Sequence, residues 1–232
     1  MHLDDQYPER TQAFIDLIKL HQNSLSQLFL LGDLFEAWIG DDAPGECGKI
    51  LIKLLSTLAS QGIHCYIMHG NRDFLIQSKF TKKAQCGLLA DPSLITLNNK
   101  RVLLSHGDLY CTDDVQYQLI RKQLRSDEWQ KDFLSKSIDE RSLMAAQARA
   151  ESKNYQQDKE QSLMDVNQQA INDAFITYDA DIIIHGHTHR PNVHSSQIKN
   201  KERIRYVLGD WYQSHPGSYV MANNTNVNLI SL

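Results

Sequence analysis

Apolar positions over the first seventy residues alternate between helical and strand spacing. From Glu9 to His21, Phe14, Leu17, Ile18 and His21 fall at helical intervals, and Gln27 to Leu31 follows as a short apolar run. Lys49 to Ser60 sets Ile50, Leu51, Leu54, Leu55 and Leu58 on one face of a second helix, and Ile63 to Met68 reads as a second strand. This β-α-β order predicts a sheet covered by helices, with strand-end loops available for chemistry. Leu94 to Leu97 and Arg101 to Ser105 flank Asn98-Asn99 as a pair of hairpin strands.

From Asp108 to His185 the chain has neither glycine nor proline and is rich in Gln, Lys, Glu, Ala and Leu, which predicts mostly helix. Its middle, Ser126 to Asp158, breaks the strand rhythm and lacks a single apolar face, as a helical insertion or lid would. Trp129, Phe133, Leu134, Ile138, Leu143 and Met144 are its candidates for helix packing or for sheltering an apolar ligand. Ile182 to Ile184 is a short buried strand, and Ile204 to Leu208, Ser218 to Ala222 and Val227 to Ser231 add three more. The fold class expected is α/β of the mixed α+β kind, with no internal repeat.

Composition narrows the function classes. A length of 232 residues suits one domain with room for an insertion. The net charge of −4 argues against a nucleic-acid partner, which would call for a basic field. No apolar run approaches the roughly 20 residues that span a bilayer, and no leader pattern is visible, so a cytoplasmic protein is expected. Cys47, Cys65, Cys86 and Cys111 form no Cys-x-x-Cys pair, which suits reduced thiols better than a disulfide framework or zinc knuckle.

The chemistry gathers where apolar strands end in a polar residue beside a glycine. Phe29-Leu30-Leu31-Gly32-Asp33 ends in a carboxylate, and Tyr66 to Asp73 ends in Asn71 and Arg72 after Gly70. Val102 to Asp108 presents His106, and Ile182 to His189 presents His187 and His189 around Thr188. Each segment alone fits an ordinary turn, but the set in sequence does not. Carboxylate, amide and imidazole donors suit Mn²⁺, Fe²⁺ or Zn²⁺, whereas structural zinc usually recruits thiolates. A carboxylate such as Asp33 could bridge two cations roughly 3.5–4 Å apart, which activate water and neutralise phosphoryl oxygens. Arg72 could clamp a phosphate by paired hydrogen bonds, or simply pair with Asp73.

The order Gly32-Asp33, Gly70-Asn71-Arg72-Asp73, His106 and Gly186-His187-Thr188-His189 resembles the calcineurin-like metallophosphoesterases. The resemblance implies a four-layer αββα sandwich of two facing sheets flanked by helices, with a helical insertion at about 115–165 in a single domain spanning 1–232. The stretches 32–42, 69–75, 111–114, 164–167 and 185–191 look like members that hydrolyse UDP-2,3-diacylglucosamine in lipid A biosynthesis. That similarity implies cleavage of the pyrophosphate bond to UMP and a diacylated sugar 1-phosphate, by a hydrolase peripheral on the cytoplasmic face of the inner membrane. No obligate protein partner is implied. Asp33 would bridge the metals; Asn71, His106 and His187 would hold one Mn²⁺, and His2 and His189 the other. Asp33, Asn71, Arg72 and His106 form the implied catalytic set. Asn71, Arg72, Asp114, Ser152, Lys159 and His187 match substrate-contacting positions, as does Gln156, where the family often has Asn. Competing expectations are another phosphodiester or phosphoprotein as substrate, or a metal-poor scaffold of the same fold.

The family opens with an apolar strand ending Asp-x-His. His2 matches its histidine, while Asp4 and Asp5 fall past it and are poor replacements for the aspartate. The expectation is that the native chain begins several residues upstream, and that the His2, Asp33 and His189 site is weakened without that aspartate.

Overall fold

Alternation along the central strands sorts apolar side chains onto two faces, and the layers follow from that sorting. In the computed structural model, which describes residues 1–157, 165–212 and 217–232, the named strands lie in three sheets. The first sheet has the order β1-β2-β3, all parallel, from β1 (Gln27–Leu30), β2 (His64–Met68) and β3 (Gly87–Leu89). Helices α1 (Pro8–His21), α2 (Gly45–Ser60) and α3 (Ser78–Ala84) alternate with these strands. The second sheet has the order β4-β5-β6-β8-β7. There β5 (Lys100–Ser105), β6 (Ile182–His185) and β8 (Lys201–Val207) run parallel, and β4 (Ser93–Leu97) and β7 (Asn192–Ile198) close the edges antiparallel. β9 (Ser218–Ala222) and β10 (Val227–Ser231) form an antiparallel pair.

Leu30 and Ile67 face the helices, packing with Phe14, Ile18, Leu51, Leu55 and Leu58. Their neighbours Leu31 and Met68 face the other way and meet Val102, Leu104, Ile182 and Ile184 of the second sheet. One residue along, Leu103 and Ile183 point outward against Ile171, Ala174 and Phe175, which brings in α7 (Gln168–Thr177). The result is the expected order of helix, sheet, sheet and helix. Burying one such side chain contributes about 1.5–3 kcal/mol. A one-residue register slip would turn every one of them to the wrong face.

Between β5 and α7 the chain adds α4 (Val115–Leu124), α5 (Asp127–Ser135) and α6 (Ile138–Gln157). Phe133 is buried, and Trp129, Leu134 and Met144 pack against the helix-side core of the first sheet. Ile138 and Leu143 stay exposed. Arg141, almost fully buried on α6, donates to the Ile39 carbonyl and to both carboxylate oxygens of Asp42. The insertion is therefore fastened to the loop that follows Asp33.

Where element boundaries depart from the sequence reading, the cause is tertiary. Helix α2 begins at Gly45 rather than Lys49 because the Asp5 carboxylate accepts from the Glu46 and Cys47 N–H groups, a cap supplied from far away in sequence. Asp5 thus serves α2, and Asp4 accepts from the Gln6 N–H. Leu3 forms an isolated parallel bridge to Phe35, beyond the end of β1, donating to the Leu34 carbonyl at 2.8 Å. That pairing carries His2 alongside Asp33.

Candidate metal centre

Every candidate donor but His2 sits just past the carboxyl end of a central strand: Asp33 after β1, Asn71 after β2, His106 after β5, and His187 and His189 after β6. Crowding there constrains the backbone. Gly32 has φ of +81°, and a Cβ on it would lie 2.6 Å from Gly70 Cα and 2.7 Å from His106 Nδ1. Only glycine allows the first two loops so close. His2, Asp33, His187 and His189 all have positive φ, between 49° and 67°, where residues bearing a side chain are uncommon. Strain of that kind persists where surrounding contacts over-determine it, and it concentrates at functional sites.

Two donor clusters share Asp33. In one, Asp33 joins His106 and His187; in the other it joins His2 and His189, with ligand atoms within 4.8 Å of one another in each. Asp33 Oδ1 lies 3.7 Å from His106 Nε2, and Asp33 Oδ2 lies 3.8 Å from His2 Nε2. One carboxylate thus offers one oxygen to each cluster, as a bridging ligand would. Asn71 Oδ1 completes the first cluster, 3.1 Å from both His106 Nε2 and His187 Nδ1. In the second, His2 Nε2 and His189 Nε2 are 3.1 Å apart.

The first cluster is built to receive positive charge. His106 Nδ1 is 2.9 Å from the Leu31 carbonyl, which can only accept, so Nδ1 carries the hydrogen. In neutral imidazole, Nε2 then points a lone pair at Asn71 Oδ1, which is also an acceptor. An acceptor facing an acceptor is the arrangement that a cation between them, a proton or a metal, would satisfy. The charges agree. Burial acts to lower His106, but Asp33 and Asp108 outweigh it and raise its affinity for a proton. Burial also opposes charge on Asp33, yet His106, His2 and Arg72 hold its carboxyl well below the usual range. Burial pushes His2 and His187 down to about 4 each, so both imidazoles are neutral and able to ligate near pH 7. The residues fit a pair of divalent cations with oxygen and imidazole ligands.

Two buried carboxylates hold the loops. Asp73 accepts from Asp33 N at 3.3 Å, Leu34 N at 2.6 Å and Gly70 N at 2.7 Å, locking the first loop to the second. Asp91 accepts from Ser105 Oγ at 2.7 Å and His106 N at 3.2 Å. Asp73 therefore does not pair with Arg72, as one reading of the sequence had it.

Residues 1–191 match the calcineurin-like phosphoesterases. The chain belongs to that family. It is 40% identical over 231 residues to a UDP-2,3-diacylglucosamine hydrolase of Photorhabdus laumondii, an alignment covering 100% of this chain and 95% of that protein. A protein of the same name from Xanthomonas campestris is 40% identical over 220 residues, covering 92% and 89% of the two chains. One from Stenotrophomonas maltophilia is 37% identical over 238 residues, covering 100% and 96%. In structure, the chain is similar to an archaeal phosphodiesterase with a TM-score of 0.51 at 11% identity, covering 98% of this chain and 94% of that one, a likeness of fold.

Next to the shared Asp33, Arg72 donates from its backbone N–H to Asp33 Oδ1 at 3.0 Å and from Nη1 to Glu36 Oε1 at 2.9 Å. Glu36 is a hub that the sequence reading did not single out, although it lies three residues past Asp33. Arg149 of α6 also donates to Glu36 Oε1, Tyr212 donates to Oε2 at 3.1 Å, and His2 Nδ1 is 3.2 Å from Oε2. Beside this cluster opens a cavity of about 950 Å³, lined by Leu3, Trp38, Arg72, Ala146, Arg149 and Tyr212 among others. Nothing in the sequence pattern marked Arg149 or Tyr212, because tertiary contact alone brings them to Glu36.

None of the remaining described candidates belongs to either donor cluster. Asp114 caps α4, accepting from Tyr117 N at 3.0 Å, and accepts from Tyr155 Oη at 2.9 Å, which ties α4 to α6. Ser152 is half-buried on α6, and Gln156 belongs to the same helix. Lys159 falls outside the described residues.

Proposed function

We propose that the chain hydrolyses the pyrophosphate bond of UDP-2,3-diacylglucosamine, releasing UMP and 2,3-diacylglucosamine 1-phosphate. The observation that carries this reading is Asp33, with one oxygen turned to each donor cluster, beside a cavity lined by Arg10, Arg72 and Arg149. Curated relatives at 37–40% identity over nearly the whole chain supply the substrate class. Water adds across the P–O–P link, so one phosphate product keeps the bridging oxygen and the other gains the water oxygen.

Asp33, Asn71, His106 and His187 would hold one divalent cation, and His2, Asp33 and His189 the other; Mn²⁺ suits this donor set. When bound, such a pair of cations lowers the pKa of water and offsets phosphoryl charge. The chain's own residues do the rest. Arg72, anchored by its backbone to Asp33 and by its guanidinium to Glu36, meets the phosphate with fixed donors. Arg149, held by the same Glu36, adds a second cationic group from the insertion. Leu3, Trp38 and the small residues Ala145 and Ala146 give the cavity apolar wall for acyl chains. On this reading Asp114, Ser152, Gln156 and Lys159 add further contacts to the substrate. The acyl tails place the reaction at the cytoplasmic face of the inner membrane, with the protein peripheral to it. Among the described residues, no helix is long and apolar enough to cross a membrane.

The test is an assay of UMP release from UDP-2,3-diacylglucosamine with Mn²⁺, beside a simple phosphodiester such as bis-p-nitrophenyl phosphate. UMP release that EDTA abolishes is the expected result. Hydrolysis of the simple diester with no UMP formed would move the substrate to another phosphodiester.

A further inference from the structure

Asp108 lies two residues past His106, is fully buried, and belongs to neither donor cluster. Its Oδ2 takes donors from three side chains of the insertion: Tyr117 Oη at 3.0 Å, Arg121 Nε at 2.8 Å and Arg125 Nη2 at 3.2 Å. Its backbone carbonyl accepts from Gln118 Nε2 at 2.8 Å. Tyr117, Gln118, Arg121 and Arg125 recur at helical spacing, so they form the inner face of α4 and its C-cap. The opposite face, with Val115, Leu119 and Ile120, is exposed.

The same side chains reach onward to the metal-site loops. Arg125 Nη2 also donates to the Gly70 carbonyl at 3.0 Å, the peptide oxygen immediately before Asn71. Arg121 Nη2 is 3.9 Å from Asp91, whose other oxygen accepts from His106 N. The Tyr117 ring lies 5.7 Å from the His187 ring, centroid to centroid. Helix α4 therefore touches the settings of Asn71, His106 and His187, all donors of the first cluster. No described contact of these four α4 side chains reaches His2 or His189.

We propose that Asp108 is a positioning residue that fastens the first insertion helix to one metal position only, the one formed by Asn71, His106 and His187. A buried carboxylate whose three side-chain donors all come from one helix acts as that helix's anchor, and its removal frees two guanidinium groups together. The ligand loops lose the partners that set their orientation, and outer partners of this kind typically change metal affinity by about 10–100-fold. The second metal position draws on His2 and His189, which the anchor does not touch, and shares only Asp33 with the first. The inference rests on the metal reading given above.

The test compares D108N with R125Q, which keeps the Asp108 charge and removes the link to Gly70. In metal-free protein, amide hydrogen exchange should quicken at residues 70–72, 106–108 and 186–187 in both variants, with residues 2–5, 33–36 and 189 unchanged. In Mn²⁺ titration, the binding step that H187A removes should weaken about tenfold or more, while the step that H189A removes stays within about twofold. The kcat for UMP release should fall, with KM within about threefold. Unchanged exchange at those loops, or equal weakening of both Mn²⁺ steps, would overturn the proposal. Exchange rising evenly through the whole chain in both variants would overturn it too, since that is general destabilisation. Because the exchange readout needs neither metal nor substrate, it decides the matter even if wild-type protein releases no UMP, a result that would count against the activity alone.

Discussion

Gly70 and Asp33 stand so close that a Cβ on the glycine would lie 2.2 Å from both the backbone nitrogen and Oδ1 of the aspartate. No real side chain tolerates that approach, and the obstructing atoms include backbone that cannot swing aside. G70A must push Asp33 away from its place between the two donor clusters. A displacement near 1 Å at a reacting centre costs about 100-fold in rate. The variant should lose about that much kcat while remaining folded by circular dichroism; activity within a few-fold of wild type would show that Asp33 need not sit where it does.

Asp73 makes a separate prediction, about stability. Its carboxylate, fully buried, satisfies N–H groups of Asp33, Leu34 and Gly70. In D73N one oxygen becomes an NH₂ group, which cannot accept from an N–H. Leaving one such buried donor unmatched costs about 1–3 kcal/mol. Urea unfolding should show a lower midpoint with an unchanged slope; a midpoint equal to wild type would contradict this account of the loop lock.

Acid should weaken the metal-free protein for a definable reason. His2, His187 and His185 have folded values of about 4, 4 and 3, each depressed chiefly by burial from 6.5. The unfolded chain therefore binds protons first as pH falls, so stability is full above 6.5 and declines towards 4. His106 has the opposite sign: burial would lower it, but Asp33 and Asp108 raise it, so its contribution is present below 6.5 and lost as pH rises through its folded value. Three depressed histidines outweigh one raised. Urea midpoints of EDTA-treated protein should be lower at about pH 5 than at about pH 7, and the reverse order would reject this balance.

Metal should stabilise the fold measurably. A ligand that binds only the folded state at 100 times its Kd adds about 2.7 kcal/mol. Mn²⁺ should raise the Tm of wild type, and H187A and H189A should each lose part of that rise. If either variant kept the full shift, its histidine would be no ligand.

Much of this was legible in the sequence because the deciding patterns are local. Leu30, Leu31, Ile67 and Met68, with Ile182 to Ile184, announced strands buried on both faces, and the polar residues after them announced the site. Three elements were not. Strand β7 reads Asn-Val-His-Ser-Ser-Gln-Ile, a mostly exposed edge whose pairing with β8 supplies what its composition lacks. Strand β3 and helix α3 are three and seven residues long, too short to display a period. In the site, Asp33, Asn71, His106, His187 and His189 were visible as strand-end residues beside glycines. Glu36, Asp73 and Asp108 were in plain view but carried ordinary alternatives. Arg149 was hidden, since 113 residues separate it from the Glu36 it pairs with.

The seam between the two sheets has a kinetic consequence. Asp33 and Asn71 hang from one sheet and His106 and His187 from the other, while Leu31, Met68, Leu104 and Ile184 weld the sheets together directly beneath. A hinge along that line would pull the donors apart, so the catalytic floor has to stay rigid through each cycle. Freedom to move falls instead to the α4–α6 insertion, whose grip on the floor runs through a handful of arginines: Arg141, Arg149, Arg121 and Arg125.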